Sequence, residues 1–145
     1  MYKRILLAYD GSEAGQQALL EGHEIAQWSH AELTLIAVMP LPLTALGPEV
    51  SAFDATTQAA DKSHYQEVLD AGVRKLAEAG LTAHGDVVAG DAVSEIAACA
   101  RRIQADLIVV GHKHLDSWAA RWWRGSVSKA LVEHAPCSVL VVITH

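Results

Sequence analysis

The sequence has few of the residues that mark several specialised protein classes. Its 145 residues include only two cysteines, four prolines and ten glycines, too few for a disulfide-rich, fibrous or low-complexity chain. Only 19% of the residues are charged and 51% are hydrophobic, so global disorder is excluded and a packed core is expected. The length is typical of one domain, and we expect a single domain over residues 1–145.

Positive charge and long apolar runs are also scarce. Lys and Arg total 11 against 17 Asp and Glu, and an acidic chain repels phosphate backbones, so no nucleic-acid partner is expected. No apolar run reaches the roughly 18–20 residues of a membrane-spanning helix, and the N-terminal run ends at Asp10, too early for a secretory signal. We expect a cytoplasmic protein without a membrane partner. Cys99 and Cys137, each among apolar neighbours, are interpreted as buried and reduced.

Short aliphatic runs alternate with longer amphipathic segments. The runs predict five strands, at residues 5–9, 33–39, 81–88, 106–110 and 138–143. The other segments predict four helices: 13–28 after an N-cap at Ser12, 58–79 ending at Gly80, one from an N-cap at Asp91 through Ile103, and 126–134. Residues 40–57 and 111–124 are predicted to be connections. Continuously aliphatic strands are buried on both faces, which indicates an α/β fold with a parallel sheet between two layers of helices.

In an open parallel sheet, ligands bind beyond the carboxyl ends of the strands. Asp10 follows the first strand, where it can accept a hydrogen bond from an adenine amino group or a ribose hydroxyl, or cap the first helix. Gly111 follows the fourth strand, where it permits a sharp turn with positive φ or a closely bound ligand. Both residues are therefore candidate site residues with a structural alternative.

The segment Gly125–Ser128 precedes the last predicted helix. Glycine followed by hydroxyl residues at a helix N-terminus offers backbone N–H donors to an anion, and phosphate is the usual ligand of such a site. The alternative is an ordinary N-cap at Ser126.

Several catalytic and nucleotide-binding motifs are missing. The chain has no Gly-x-x-x-x-Gly-Lys-Ser/Thr loop, no Gly-x-Gly-x-x-Gly run and no Gly-x-Ser-x-Gly elbow. Ser126 and Ser128 have no evident His and Asp partners for nucleophilic catalysis. We therefore expect no enzyme, and any hydrolysis of a bound ligand to be slow.

Two further clusters of residues have a possible function and a structural alternative. His112 and His114 could ligate a metal, but no third strong ligand is evident and no metal is expected. The segment Trp118–Arg124 holds three tryptophans and two arginines. These residues could stack on a base, bind phosphate or dock a partner, or the tryptophans could pack onto the sheet as a short lid.

Four segments together resemble the universal stress protein family over essentially the whole chain. They are Ile5–Ser12, Ala105–His112, Gly125–Ser128 and Ala135–Val142. The resemblance implies an open five-stranded parallel sheet of order 3-2-1-4-5 with helices on both faces. This fold is Rossmann-like, of the adenine nucleotide alpha hydrolase-like type. It also implies a cytoplasmic homodimer paired through the last strand, Val139 to Ile143.

The resemblance further implies a stress-response module that binds ATP, with or without Mg²⁺. By resemblance, Asp10 and Val38 contact adenine, Pro40 shapes its end of the site, and Ala8 and Tyr9 line the floor. The phosphate side is formed by Gly111, Gly125, Ser126, Val127 and Ser128.

The sequence departs at two points from the family's nucleotide-binding pattern, Gly-x2-Gly-x9-Gly-Ser/Thr. His114 stands in place of the second glycine, and Gly125 comes one residue late. An imidazole at position 114 either reshapes the site or blocks it. The alternative function is therefore a dimeric stress protein that binds no nucleotide and acts through protein interactions.

Overall fold

The computed structural model describes the backbone of residues 1–40, 52–113 and 127–144, and the side chains of residues 1–40, 62–112 and 127–144. The strands are β1 (Arg4–Ala8), β2 (Glu32–Met39), β3 (Ala83–Ala89), β4 (Leu107–Lys113) and β5 (Ser138–Thr144). The helices are α1 (Glu13–Ser29), α2 (Ala52–Glu78), α3 (Ala92–Ile103) and α4 (residues 127–134).

The five strands form one parallel sheet of order β3-β2-β1-β4-β5, so the expected fold is confirmed. β1 lies at the centre, where Ala8 pairs with Ile36 of β2 on one side and with Val110 of β4 on the other. β3 lies at an edge, as its polar residues predict. Within the described residues, no helix is long and apolar enough to cross a membrane.

Each face of the sheet carries its own hydrophobic core. Alternate residues of β1 point to opposite faces: Leu7 packs with α1 and α2, whereas Leu6 packs with α3 and α4. Both side chains are fully buried. Because helices cover both faces of the sheet, the buried parts of its inner strands are almost entirely aliphatic. The described part of the chain has no buried charged side chain.

Two predicted N-caps are confirmed by their hydrogen bonds. Ser12 Oγ accepts a bond from the Gly15 N–H at 3.0 Å, and Asp91 Oδ2 accepts one from the Ser94 N–H at 3.0 Å. These side chains satisfy N–H groups that have no acceptor within the helix. Gly80, with φ of +88°, follows α2 as predicted.

The predicted boundaries of α2 and β4 are wrong. α2 begins at Ala52, so the predicted connection over residues 40–57 extends too far; residues 52–57 contain no glycine or proline to stop a helix. β4 continues to Lys113 because β5 continues beside it, pairing Gly111 with Val142 and Lys113 with Thr144. The connection predicted from residue 111 therefore begins with three strand residues.

Two smaller expectations are also corrected. Gly111 lies inside β4 and is not among the described glycines with positive φ, so the turn offered as one of its roles is absent. Both cysteines are free, but only Cys99 is buried; Cys137 is partly exposed, because it lies just before the edge strand β5. Burial raises the pKa of both thiols, which favours the protonated form.

Candidate functional site

A cleft of about 710 Å³ opens beyond the carboxyl ends of β1, β2 and β4. It lies where the chain order of the sheet reverses, since β1 is flanked by β2 on one side and β4 on the other. This is the general position of ligand sites in open parallel sheets. Its volume is within the usual range for a small-molecule pocket.

Most of the site residues predicted from the sequence surround this cleft. Those that line it are Ala8, Tyr9, Asp10, Val38, Pro40, Gly111, Val127 and Ser128. His114, Gly125 and Ser126 lie outside the described residues, as does the segment Trp118–Arg124. The described residues thus come from four separate stretches of the chain.

The inner wall of the cleft is aliphatic. Ala8, Val38 and Val110 lie near the ends of three neighbouring strands and belong to the core on the α3–α4 face. Ile36 and Ile96 line the cleft below and beside them. These side chains form an apolar surface against which a flat aromatic ligand can be buried.

The rim at the β1–α1 turn is polar. Asp10 Oδ1 accepts hydrogen bonds from the Ser12 N–H at 2.9 Å and from Ser12 Oγ at 2.6 Å. Ser12 is the N-cap of α1, and these hydrogen bonds orient its side chain. Asp10 therefore supports the cap through Ser12 and does not cap the helix itself. Because both bonds use Oδ1 and Asp10 is exposed, Oδ2 can accept a further bond from a ligand.

Two glycines permit close packing around the start of α1 at the edge of the cleft. A Cβ on Gly111 would lie 2.2 Å from the carbonyl oxygen of Ala14 and 2.9 Å from the nitrogen of Gly15. A Cβ on Gly15 would lie 2.6 Å from Asp10 Oδ1. The close approach that Gly111 permits is therefore to the start of α1.

The ring of Tyr9 belongs to the core under the cleft. Tyr9 is 3% exposed, and its ring contacts Gly72 of α2, where a Cβ would lie 2.8 Å from Tyr9 Cε1. The Tyr9 hydroxyl accepts a hydrogen bond from Gln16 Nε2, and Lys75 Nζ donates to Gln16 Oε1 at 2.6 Å. Burial raises the pKa of Tyr9. This ring therefore anchors α1 and α2 beside the cleft.

Sequence reasoning missed several residues that line the cleft. They are Ser12, Glu13, Ala14, Gly15, Ile36, Tyr65, Gly90, Ala92, Ile96, Val110 and His112. Tyr65 has the helical spacing of a core residue of α2, but α2 leans over the β1–α1 turn, where Val68 Cγ1 is 2.9 Å from a Cβ built on Gly11. His112 was considered only as a metal ligand; strand alternation from Val110 could have placed it in the cleft.

The structure offers no metal site among the side chains that it describes. No group of three or more His, Cys, Asp or Glu residues there lies close enough to hold a metal ion. His114, the second histidine of the candidate pair for which no metal was expected, is outside the described residues.

The fold and the cleft define a doubly wound α/β protein with a ligand cleft at its switch point. The model of the universal stress protein family matches residues 1–142, and the chain belongs to that family.

Individual proteins are similar to this chain in sequence or in fold. A curated relative from Staphylococcus epidermidis that carries the universal stress protein name is 35% identical over 147 residues, covering 99% of this chain and 85% of the relative. The universal stress protein UspA from Lactobacillus plantarum has a similar structure, with 27% identity, a TM-score of 0.79 and 97% coverage of each chain. A family member from Arabidopsis thaliana, solved with AMP bound, has 19% identity and a TM-score of 0.68, covering 99% of this chain and 92% of its own.

Proposed function

We propose that this protein binds an adenine nucleotide in the cleft and acts as a regulatory module in a stress response. The observation that carries the proposal is the convergence of eight site residues, expected from the sequence, on one cleft at the switch point. The residues come from the ends of β1 and β2 and the positions directly after them, from β4 and from the described start of α4. Their meeting therefore depends on the fold rather than on proximity in the chain.

The chemistry of the cleft suits the parts of such a ligand. The aliphatic wall formed by Ala8, Val38 and Val110 can bury the purine ring. Asp10 can accept a hydrogen bond from the adenine amino group or a ribose hydroxyl. Val127 and Ser128 lie in the first described turn of α4, and backbone N–H groups at a helix start can receive phosphate.

Ligands of other proteins with this fold support the adenine assignment. Besides the AMP-bound plant protein, one structure from Archaeoglobus fulgidus was solved with dAMP and another universal stress protein with cAMP. More specifically, we propose that the nucleotide is ATP, with or without Mg²⁺. We propose no catalytic step. The protein would act by binding the nucleotide, not by hydrolysing it.

A substitution that fills the cleft tests directly whether the nucleotide binds there. Val38→Phe places a larger side chain inside the cleft, whereas Val132→Phe enlarges a side chain of α4 that is 64% exposed and does not line it. Calorimetric titration with ATP plus Mg²⁺ and with AMP is expected to show binding to the original protein and to Val132→Phe, and at least tenfold weaker binding to Val38→Phe. No binding of either nucleotide to the original protein at millimolar concentration would favour the nucleotide-free alternative.

We also propose that the protein is a homodimer paired through Val139–Ile143. β5 is an edge strand, and Ile143 is 53% exposed, so a second copy could cover both its unpaired backbone groups and this apolar side chain. Sedimentation velocity is expected to show dimers for the original protein and monomers for Ile143→Lys. Trp28→Lys, which changes an exposed apolar residue on α1, is the control and should remain dimeric.

A further inference from the structure

One aromatic ring of α2 borders the cleft. Tyr65 lines the cleft and is partly buried. Its side chain packs against the core on the α1–α2 face, and its ring centroid lies 5.8 Å from that of the neighbouring His64, in an edge-to-face arrangement. Because Tyr65 lies at the middle of α2 (Ala52–Glu78), its backbone is fixed by helix on both sides rather than carried by a loop.

Tyr65 and the aliphatic wall flank the strand ends from opposite faces of the sheet. The wall residues Ala8, Val38 and Val110 pack with the core on the α3–α4 face, whereas Tyr65 packs with the core on the α1–α2 face. All of these side chains line the same cleft. A ligand above the strand ends therefore has an apolar surface on each side.

Of the two tyrosines that line the cleft, Tyr65 has the ring that a ligand can reach. Tyr9 is 3% exposed, and its ring packs against Gly72 of α2. Tyr65 remains partly exposed at the cleft. Aromatic side chains stack on nucleobases because both have flat apolar faces. With the aliphatic wall opposite this ring, a base can be buried on both of its faces.

We propose that Tyr65 stacks on the base of the bound nucleotide and makes the cleft selective for purines over pyrimidines. The inference rests on the proposed nucleotide function and adds to it a contact from α2 that determines specificity. A purine has two fused rings and offers the Tyr65 ring a larger flat surface than a pyrimidine does. Removal of the ring therefore lowers affinity more for AMP than for UMP.

Calorimetry with AMP, together with competition of UMP against AMP, measures this selectivity. Tyr65→Ala is expected to bind AMP at least tenfold more weakly, whereas its affinity for UMP falls less than threefold. Tyr65→Phe keeps the ring and should retain both affinities. His64→Ala removes the adjacent exposed ring, which does not line the cleft, and is the control that should also retain both. Circular dichroism spectra and unfolding midpoints establish that each variant is folded.

The outcomes separate this inference from the proposed function. If the original protein does not bind AMP, the nucleotide function itself is wrong. If it binds AMP and Tyr65→Ala binds AMP within twofold of the original, or loses AMP and UMP affinity to the same extent, the role of Tyr65 is overturned. An equal loss of AMP affinity in His64→Ala would also overturn it, because the effect would then come from the packing of α2.

NMR of the original protein decides the matter if Tyr65→Ala does not fold or if UMP binds too weakly to measure. Nuclear Overhauser contacts are expected between the adenine protons of bound AMP and the ring protons of Tyr65. Adenine contacts to the methyl groups of Val38 or Val110 without contacts to Tyr65 would overturn the role.

Discussion

The two faces of the sheet are built from similar aliphatic residues but end differently at the carboxyl ends of the strands. On the α1–α2 face, the helices reach the strand ends: α1 touches Gly111 of β4, and α2 touches Gly11 and Tyr9. On the α3–α4 face, the apolar side chains Ala8, Val38 and Val110 continue to the strand ends and line an open cleft. The comparison indicates that packing is completed on one face and left open for a ligand on the other.

The largest expected effect on stability comes from the contact between Gly111 of β4 and the start of α1, on the α1–α2 face. Gly111→Ala would place a Cβ 2.2 Å from the Ala14 carbonyl oxygen, and backbone atoms cannot move aside as a flexible side chain can. We expect a loss of about 3 kcal/mol or more in the free energy of unfolding, measured by urea denaturation. A loss under about 0.5 kcal/mol, within the range of ordinary surface substitutions, would show that α1 and β4 are not held this close.

A matched pair of substitutions separates the two faces. Val109 and Val110 are adjacent in β4 and both buried, but Val109 packs with α1 and α2, whereas Val110 packs with α3 and α4 and lines the cleft. Each Val→Ala substitution should cost roughly 2 kcal/mol of stability.

Only Val110→Ala should also weaken AMP binding, by about threefold, since about 0.6 kcal/mol of apolar contact with the ligand is lost. Calorimetry on both variants checks this difference. Equal effects of the two variants on affinity would mean that the α3–α4 face is not the binding face.

Tyr65 tests whether α2 also contributes to the ligand cleft. It lines the cleft and packs partly against the α1–α2 core. Tyr65→Phe keeps the ring and should bind AMP as the original protein does, whereas Tyr65→Leu should bind it about threefold more weakly because an aromatic surface is lost. If the hydroxyl were the contact group, Tyr65→Phe would instead show the loss, and the titration distinguishes the two.

The smallest expected effect concerns the start of α3, on the open face. Two hydrogen bonds, from the Ser94 N–H and hydroxyl, lower the pKa of Asp91. A lowered pKa in the folded state means that the cap stabilises α3 above about pH 4 and loses this contribution as the pH falls further.

Asp91→Asn keeps an acceptor and should remove most of this acid dependence, whereas Asp91→Ala should cost about 0.5 kcal/mol at neutral pH. Thermal unfolding between pH 7 and pH 3 measures both effects. An unchanged acid dependence in Asp91→Asn would assign it to other carboxylates.

Local sequence patterns predicted most of the fold because they act over short distances. Ser12 and Asp91 could be identified as N-caps since a short polar side chain directly precedes each helix. The aliphatic runs predicted the five strands and their burial on both faces. The strand order, in contrast, followed from the family resemblance, because periodicity alone does not specify which strands are neighbours.

The errors arise where distant parts of the chain meet. Gly111 interrupts an aliphatic run, so β4 was expected to end before it, but pairing with β5 extends the strand to Lys113. That extension is what places His112 in the cleft. Tyr65 has the spacing of a core residue, and only the position of α2 over the β1–α1 turn brings it to the site. Strand alternation assigns His112 to the cleft once β4 is known to continue, but that continuation and the position of α2 depend on contacts with other elements.

The backbone contact between Gly111 and the first turn of α1 has a consequence for ligand size. Because no side chain separates the two backbones, this boundary of the cleft cannot retract by changing rotamers. Any widening that a bulkier ligand requires must come from other parts of the boundary, such as Tyr65 of α2 or the helices α3 and α4. Ligands that differ in size should therefore leave α1 in place against β4, and crystal structures of two such complexes would differ mainly elsewhere around the cleft.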